Sequence, residues 1–381
     1  MSNIIVLGAG MVGSAMAADL AKNHSVTVAD LNAERLLSAQ RRSNTLSVME
    51  LNVRDPAALR SAVSPFELVV CAVPGYLGFE TVKCIIESGK NIVDISFFPE
   101  NALELDVMAK AHGVTAIVDC GVAPGMDNII LGRYNEQMEL TDFECMVGGL
   151  PKVKKWPFYY KAPFSPVDVI EEYTRPARYV ENGNVIVREA LSDCELVDFD
   201  HAGTLEAFNT DGLRSIILTM PHIRNMKEKT LRYPGHVEVV RALKESGFFS
   251  LHKISVNGQE IIPRDVTSKI LFAEWKLGDT EPEITVMRIR LRGKNTRGER
   301  EEIEFNLYDE YDAESRTSSM ARTTGYTATA VANMFLSGLF SDKGVFPPEL
   351  IGKHERCYTY IMDYLSERNV KYTRKSSILA S

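Results

Sequence analysis

The sequence predicts an α/β chain in which a doubly wound parallel sheet comes first and an inserted α+β region follows. Three observations carry that expectation. Short apolar runs alternate with helix-length segments up to residue 119, and a glycine-rich turn separates the first run from the first helix. Beyond Gly125 the rhythm changes to alternating strands with charged neighbours. Strands covered on both faces read as unbroken apolar runs, whereas a sheet with one wet face alternates.

Residues 4–7 form the first apolar run, and Gly8-Ala9-Gly10-Met11-Val12-Gly13 follows at once. Met16, Ala17 and Leu20 place small and apolar side chains along a helix to about residue 22, and residues 25–29 form a second strand ending at Asp30. Gly8 permits the tight turn, Gly10 lets backbone approach a pyrophosphate, and Gly13 lets the helix pack against the strand. The helix start at Met11 and Val12 offers unpaired N–H groups to that phosphate. Asp30 stands roughly 20 residues beyond the turn, where a carboxylate accepts from ribose hydroxyls. This is a Rossmann pattern. A carboxylate repels a 2′-phosphate, so NAD is expected and NADP less so, unless Arg35, Arg41 or Arg42 reaches a phosphate.

The alternation continues with strands at 47–52, 67–73, 91–95 and 114–119 and helices at 79–88 and 102–112. Asp55, before Pro56, suits either a helix N-cap or a contact near the adenine. Ligands of such sheets gather beyond the carboxyl ends of the strands, which marks Ala72, Val73, Pro74, Ser96 and Gly121. After a helix over 127–134, strands are expected at 142–147, 178–180, 184–188, 195–199, 283–292 and 302–308. Asn182-Gly183 signals a hairpin between two of them. A run of small residues over 328–336 reads as a helix that returns to cover the first domain, and the last ten residues as a frayed polar tail. The expected division is a dinucleotide domain at 1–125, a substrate and association domain at 126–315, and a C-terminal return at 316–381.

Composition narrows the function. Lys and Arg number 43 against 51 Asp and Glu, a formal charge of −8, which argues against a protein that coats nucleic acid. No stretch reaches the roughly 18 apolar residues of a membrane span, and the N-terminus has no signal-peptide pattern, so a cytoplasmic protein is expected. The six cysteines form no CxxC and the seven histidines no HExxH, so no metal is expected.

A nicotinamide cofactor supplies hydride chemistry, and the protein must place the substrate and govern its protons. Arg232 offers a planar fork for a carboxylate, and Tyr233 and His236 supply polar or titratable groups. Asp127 and Asp211 suit a substrate ammonium, Asn209 and Ser96 are further polar candidates for substrate contact, and Gly148-Gly149 lets the chain pass close to a ligand. Each has an ordinary alternative. Asp127 suits an early helix position, Asp211 a turn before Gly212, Tyr233 a packed aromatic, His236 a helix start or a satisfied core histidine, and the paired glycines a plain turn.

These segments together resemble the saccharopine dehydrogenase-like family over nearly the whole chain. The resemblance runs from the glycine fingerprint through Asp119-Cys120-Gly121-Val122-Ala123-Pro124-Gly125-Met126-Asp127-Asn128 and Gly148-Gly149-Leu150-Pro151. It continues through Arg175-Pro176-Ala177-Arg178-Tyr179, Glu206-Ala207-Phe208-Asn209-Thr210-Asp211-Gly212 and Gly344-Val345-Phe346-Pro347-Pro348-Glu349, and its most specific piece is Thr230-Leu231-Arg232-Tyr233-Pro234-Gly235-His236. It implies an NAD(P)-dependent oxidoreductase working at an amine or imine carbon, commonly as a homodimer. In the saccharopine-forming branch an Arg is expected where Thr210 stands, so the segment from Asn209 looks more like the lysine 6-dehydrogenase branch. The expected reaction is therefore NAD-dependent deamination of the ε-amine of lysine, giving the 6-semialdehyde, its cyclised form and ammonium. Arg232 would then hold the α-carboxylate, Asp127 or Asp211 the α-ammonium, and His236 or Asp127 would act as base. Saccharopine dehydrogenase and a carboxynorspermidine-type reductase are the alternatives within the family, and an NAD sensor without turnover the alternative outside enzymes.

Overall fold

The apolar runs of the first third become β1 (Asn3–Leu7), β2 (Ser25–Asp30), β3 (Ser47–Glu50), β4 (Leu68–Cys71), β5 (Asn91–Asp94) and β6 (Thr115–Ile117) in the computed structural model. It describes every residue except Ser165, Asp279, Ala380 and Ser381. Between the strands run α1 (Met11–Leu20), α2 (Ala33–Arg42), α3 (Pro56–Val63), α4 (Gly75–Glu87) and α5 (Asp106–Ala111). All pairings are parallel, in the order β6-β5-β4-β1-β2-β3. Ile4, Ile5, Val6, Leu7, Leu68, Val69, Val70 and Cys71 are wholly buried, the condition that unbroken apolar runs satisfy. Chain order reverses between β1 and β4, and a crevice opens at the carboxyl ends there. Gly8 shapes it. Its φ is +104°, and a Cβ there would lie 2.5 Å from the Ala72 carbonyl oxygen. Any side chain on Gly13 would strike the carbonyl of Gly8, so the helix start and the strand ends touch through backbone alone.

The rest of the chain contributes α6 (Met126–Asn135), β7 (Glu139–Pro151), α7 (Pro166–Thr174), β8 (Ala177–Glu181), β9 (Asn184–Arg188), β10 (Glu195–Phe199) and β11 (Gly203–Asn209). There follow α8 (Ile216–Thr219), β12 (Asn225–Arg232), α9 (His236–Glu245), β13 (Ile254–Val256), β14 (Gln259–Ile261), α10 (Pro263–Trp275), β15 (Glu283–Lys294) and β16 (Arg300–Glu310). The last segment holds α11 (Ser319–Leu336), β17 (Gly344–Phe346), α12 (Pro348–Gly352), α13 (Glu355–Glu367) and β18 (Tyr372–Ile378). A mixed sheet runs β10-β11-β12-β7-β15-β16-β18, with β8 paired to β12 and β9 to β8. The β7–β12 pair is parallel and the others are antiparallel. The Asn182-Gly183 hairpin has φ of 50° and 81°, both positive as a type I′ turn requires.

Two features of the C-terminal segment differ from expectation. Residues 372–378 are not a frayed tail: they form β18 on the edge of the mixed sheet, paired from Tyr372 opposite Leu307 to Ile378 opposite Glu301. Their polar composition is that of an edge strand facing water. The three-residue β17, too short to read as a strand, extends the parallel sheet beside β6. No helix among the described residues is long and apolar enough to cross a membrane.

The return is clamped by Asp19 of α1, which is 2% exposed. Its carboxylate accepts from Tyr364 Oη at 2.7 Å, Thr329 Oγ1 at 2.7 Å and Arg368 Nε at 2.9 Å. Burial opposes its charge, but Arg368, Tyr364, Thr329 and Lys22 outweigh burial and hold its pKa below the ordinary value. A carboxyl with a depressed folded pKa contributes stability above its unfolded pKa and loses it as pH falls through the folded one. Replacing Asp19 with Ala should lower stability at pH 7 by about 3 kcal/mol, since it strands a buried guanidinium. The gap between variant and wild type in denaturant melts should shrink in acid, below about pH 4.

Candidate active site

A cleft of about 1610 Å³ lies between the carboxyl ends of the parallel sheet and one face of the mixed sheet. Gly8, Gly10, Met11, Val12, Gly13, Asp30, Ala72, Val73, Pro74 and Gly121 all line it. A Cβ on Gly10 would meet nothing within 4 Å, so there is room above the helix start where a pyrophosphate fits. Asp55 lies off this wall: its Oδ1 accepts from Ala57 N at 3.0 Å and Ala58 N at 3.1 Å, capping α3. Asp30 is on the wall, yet its Oδ2 accepts from Ala9 N at 2.7 Å and its Oδ1 from Asn32 N at 2.8 Å. Arg35, Arg41, Arg42 and Arg54 line the same end, with Arg35 Nη1 4.0 Å from Asp30 Oδ2.

The other half of the cleft is built on β12. Strand alternation places Glu228, Thr230 and Arg232 on its cleft face, beside Gly148 and Gly149 of β7. Gly149 is on the wall, and a Cβ there would press on Pro163 at 2.6 Å. Ser96, also on the wall, donates its hydroxyl to Asp94 Oδ1 at 2.6 Å. Asp211 is on the wall as well, held by Arg178 through Nε at 2.8 Å and Nη2 at 2.9 Å.

Arg232 is 2% exposed and its fork is already engaged. Nη2 meets Glu172 Oε2 at 2.8 Å, Nη1 donates to Leu231 O at 2.9 Å, and Nε donates to Tyr173 Oη at 3.0 Å. Behind it, His236 Nδ1 lies 2.7 Å from Phe158 O and Nε2 lies 2.9 Å from Tyr173 Oη. A carbonyl only accepts, so Nδ1 carries the proton and Nε2 accepts from Tyr173. Burial, with the nearby Arg232 charge, pushes the imidazole down to about 3. His236 is therefore neutral at pH 7, packed against Tyr160 and Trp275, and off the cleft wall.

Three further candidates lie off the wall. Asp127 is buried beneath the 121–125 turn and accepts from Gly125 N at 2.9 Å, and burial raises it to about 7. Tyr233 donates to Pro151 O at 3.1 Å, and Asn209 donates to Asp193 Oδ2 at 2.7 Å. Two residues without a place in the sequence-based site stand on the wall instead. Arg175 Nη1 is buried with no hydrogen-bond partner, its guanidinium 5.0 Å from the Phe97 ring centre. Glu228 is 6% exposed with Oε2 unpartnered, and Gly212 packs so closely that any Cβ would collide with its carboxyl. Burial raises Glu228 well above the ordinary glutamate range, and the negative charges of Asp127, Glu172 and Asp211 add to that.

Residues 4–117 match the Saccharopine dehydrogenase NADP binding domain, and residues 121–370 match the Saccharopine dehydrogenase C-terminal domain. Mitochondrial alpha-aminoadipic semialdehyde synthase of Mus musculus is 22% identical over 450 residues, which take in 98% of this chain and 48% of that protein. Saccharopine dehydrogenase [NADP(+), L-glutamate-forming] of Schizosaccharomyces pombe is 24% identical over 294 residues, 72% of this chain and 65% of that protein. The chain thus spans about half the length of the mouse protein. Apo saccharopine dehydrogenase (L-Glu forming) from Saccharomyces cerevisiae superposes with a TM-score of 0.78 at 20% identity, over 99% of this chain and 100% of that one, and so shares the fold.

These matches overturn the expected preference for NAD: an NADP binding domain and an NADP(+)-named relative make NADP at least as well supported. The physical reason lies at Asp30. Both its oxygens are taken by backbone N–H groups, and guanidinium groups line the cleft beside it. Arg35→Ala should weaken NADPH binding about tenfold, in line with loss of one charge-assisted hydrogen bond, while leaving NADH binding within about twofold; fluorescence titration reads both.

Proposed function

Because this chain belongs to the saccharopine dehydrogenase family, a family of NAD(P)-dependent oxidoreductases, we propose that it carries out the glutamate-forming oxidation of saccharopine. The observation that carries this reading is the continuity of one cleft, with the glycine turn on one wall and Arg175, whose buried Nη1 has no hydrogen-bond partner, on the other. The saccharopine dehydrogenase of Schizosaccharomyces pombe and the alpha-aminoadipic semialdehyde synthase of Mus musculus support the substrate class. Gly8, Gly10, Gly13 and the N–H groups of Met11 and Val12 would hold the dinucleotide, which when bound supplies the hydride acceptor. Glutamate release requires oxidation of the carbon on the lysine side of the secondary amine, then hydrolysis of the resulting imine. The chain's own tasks are to hold a carboxylate, to strip the proton from the amine, and to admit one water.

Arg175 is assigned the carboxylate. Arg232 is assigned the part of fixing the wall, since Glu172 already fills its fork. A second reading rests on charge. The substrate half of the cleft carries Asp168, Glu171, Glu172, Asp211 and Glu228 against Arg175, Arg232 and Lys276, and Thr210 stands where the resemblance leads one to expect an arginine in the saccharopine-forming branch. Such a wall favours a substrate with more amines and fewer carboxylates, namely lysine or carboxynorspermidine.

Initial rates with saccharopine, lysine and carboxynorspermidine, each with both dinucleotides, test the two readings. The highest kcat/KM is expected for saccharopine, and a larger value for either other amine would replace the first reading by the second. Arg175→Ala should raise the KM of the preferred substrate about 10- to 100-fold, the size of one charged hydrogen bond. Its kcat should stay within a few-fold of wild type, and NADPH affinity should be unchanged.

A further inference from the structure

The wall of the cleft holds several carboxyl groups, and their partners sort them. Asp211 is bound by Arg178 on two atoms, and Glu172 by Arg232 at 2.8 Å. Glu171 has Arg175 at 3.6 Å and Arg264 at 3.8 Å. Off the wall, Asp94 is tied to Ser96, and Asp119 meets Arg214 Nε at 2.9 Å through Oδ2 while its buried Oδ1 has no partner. Glu228 differs from these in lining the cleft with no ion pair to its carboxyl among the described residues, and its buried Oε2 has no hydrogen-bond partner there. An unpaired acceptor at 6% exposure costs about 1–3 kcal/mol or more, and a sequence keeps it only where something else satisfies it. The absent side chain at position 212 leaves room for that carboxyl beside the open cleft.

We propose that Glu228 is the proton acceptor for the substrate amine. The assignment rests on the reading of the cleft as a site of amine oxidation. In the forward direction the Glu228 carboxylate takes a proton from the substrate ammonium: the N–H bond breaks, its electron pair stays on nitrogen, and an O–H bond forms on Glu228. The freed lone pair becomes the π pair of the C=N bond as the neighbouring C–H pair leaves with the hydride. Water adds to the C=N carbon; as one of its O–H pairs becomes the C=O bond and the C–N pair leaves with nitrogen, that nitrogen takes the proton held by Glu228 and one from the water, and the water's other proton leaves to solvent. The same group thus acts as base and then as acid.

The groups facing Glu228 suit both halves. Asp127 of α6, Glu172 of α7 and Asp211 after β11 disfavour its charge, and Arg214 after β11 favours it. A raised pKa makes a carboxylate a stronger proton acceptor than an ordinary glutamate. An arriving ammonium lowers that pKa again through its own charge. His236, neutral and off the wall, needs no part in the transfer.

Glu228→Gln and Glu228→Asp test the assignment, with NADPH titration as the check that the fold and the dinucleotide half are intact. In wild type kcat/KM should rise with pH to a plateau. Glu228→Gln should lower kcat roughly 100-fold or more and abolish that acidic limb, and Glu228→Asp should restore the limb at reduced kcat. Calorimetry of amine binding to the NADPH complex, in two buffers of different ionisation enthalpy, supplies a readout without turnover. Protons should move on binding to wild type and not to Glu228→Gln. Turnover within threefold of wild type in Glu228→Gln with the limb retained, or unchanged proton movement, would overturn the assignment. If wild type oxidises none of the three amines, the substrate reading fails, and calorimetry alone decides for Glu228. Absence of any proton-linked amine binding then counts against it.

Discussion

A guanidinium buried to 2% exposure organises the substrate half of this protein. Arg232 links its own strand β12 to α7 through Glu172 and Tyr173, and the Tyr173 hydroxyl passes the connection to His236 at the start of α9. His236 in turn holds the carbonyl of Phe158. The chain of donors and acceptors is saturated in one sense only, with the charge at one end and a neutral imidazole at the other. Breaking a buried pair of this kind costs about 3–5 kcal/mol, because the surviving charge has no solvent to turn to. The wall's geometry is therefore fixed before any ligand enters, which is the condition for placing reactive groups accurately.

The dinucleotide half was legible in the sequence because its physics is local. A buried strand, a turn that excludes side chains and a helix start are written within about a dozen consecutive residues, and steric contact at Gly8 and Gly13 enforces that spacing. The substrate half was not, because its residues meet through the sheet. His236, Tyr233, Asp127 and Asn209 carry the chemistry a site needs, and sequence cannot tell that each one's polar atoms are already engaged within the fold. Glu228 was hidden by its neighbours, since Lys227-Glu228-Lys229 reads as a solvated charged run. Only the pairing of β12 with β7 shows that the middle residue turns inward. The alternation with Thr230 and Arg232 was the available signal. Arg175 lay inside a recognised segment, Arg175-Pro176, but its exposed or buried state depends on how α7 meets Phe97.

Asp30 teaches a narrower lesson about inferring a cofactor from one acid. A ribose contact needs a carboxylate with free oxygens, whereas here one oxygen accepts from Ala9 N of the glycine turn and the other from Asn32 N just after β2. An acid spent on its own loop repels a phosphate less effectively than a free one, and arginines line the cleft alongside. Position along the chain is thus a weaker guide than the hydrogen bonds around the group.

The C-terminal segment gives one strand to each of the two large sheets, β17 to the parallel one and β18 to the mixed one. During synthesis on the ribosome, the outer edge of β6 stays unpaired until residue 346 has emerged, more than 200 residues after β6 itself. The nascent nucleotide domain must meanwhile expose an edge of the sort that invites mispairing. Completion of the early domain is thereby coupled to completion of the late one, a long-range closure that slows folding.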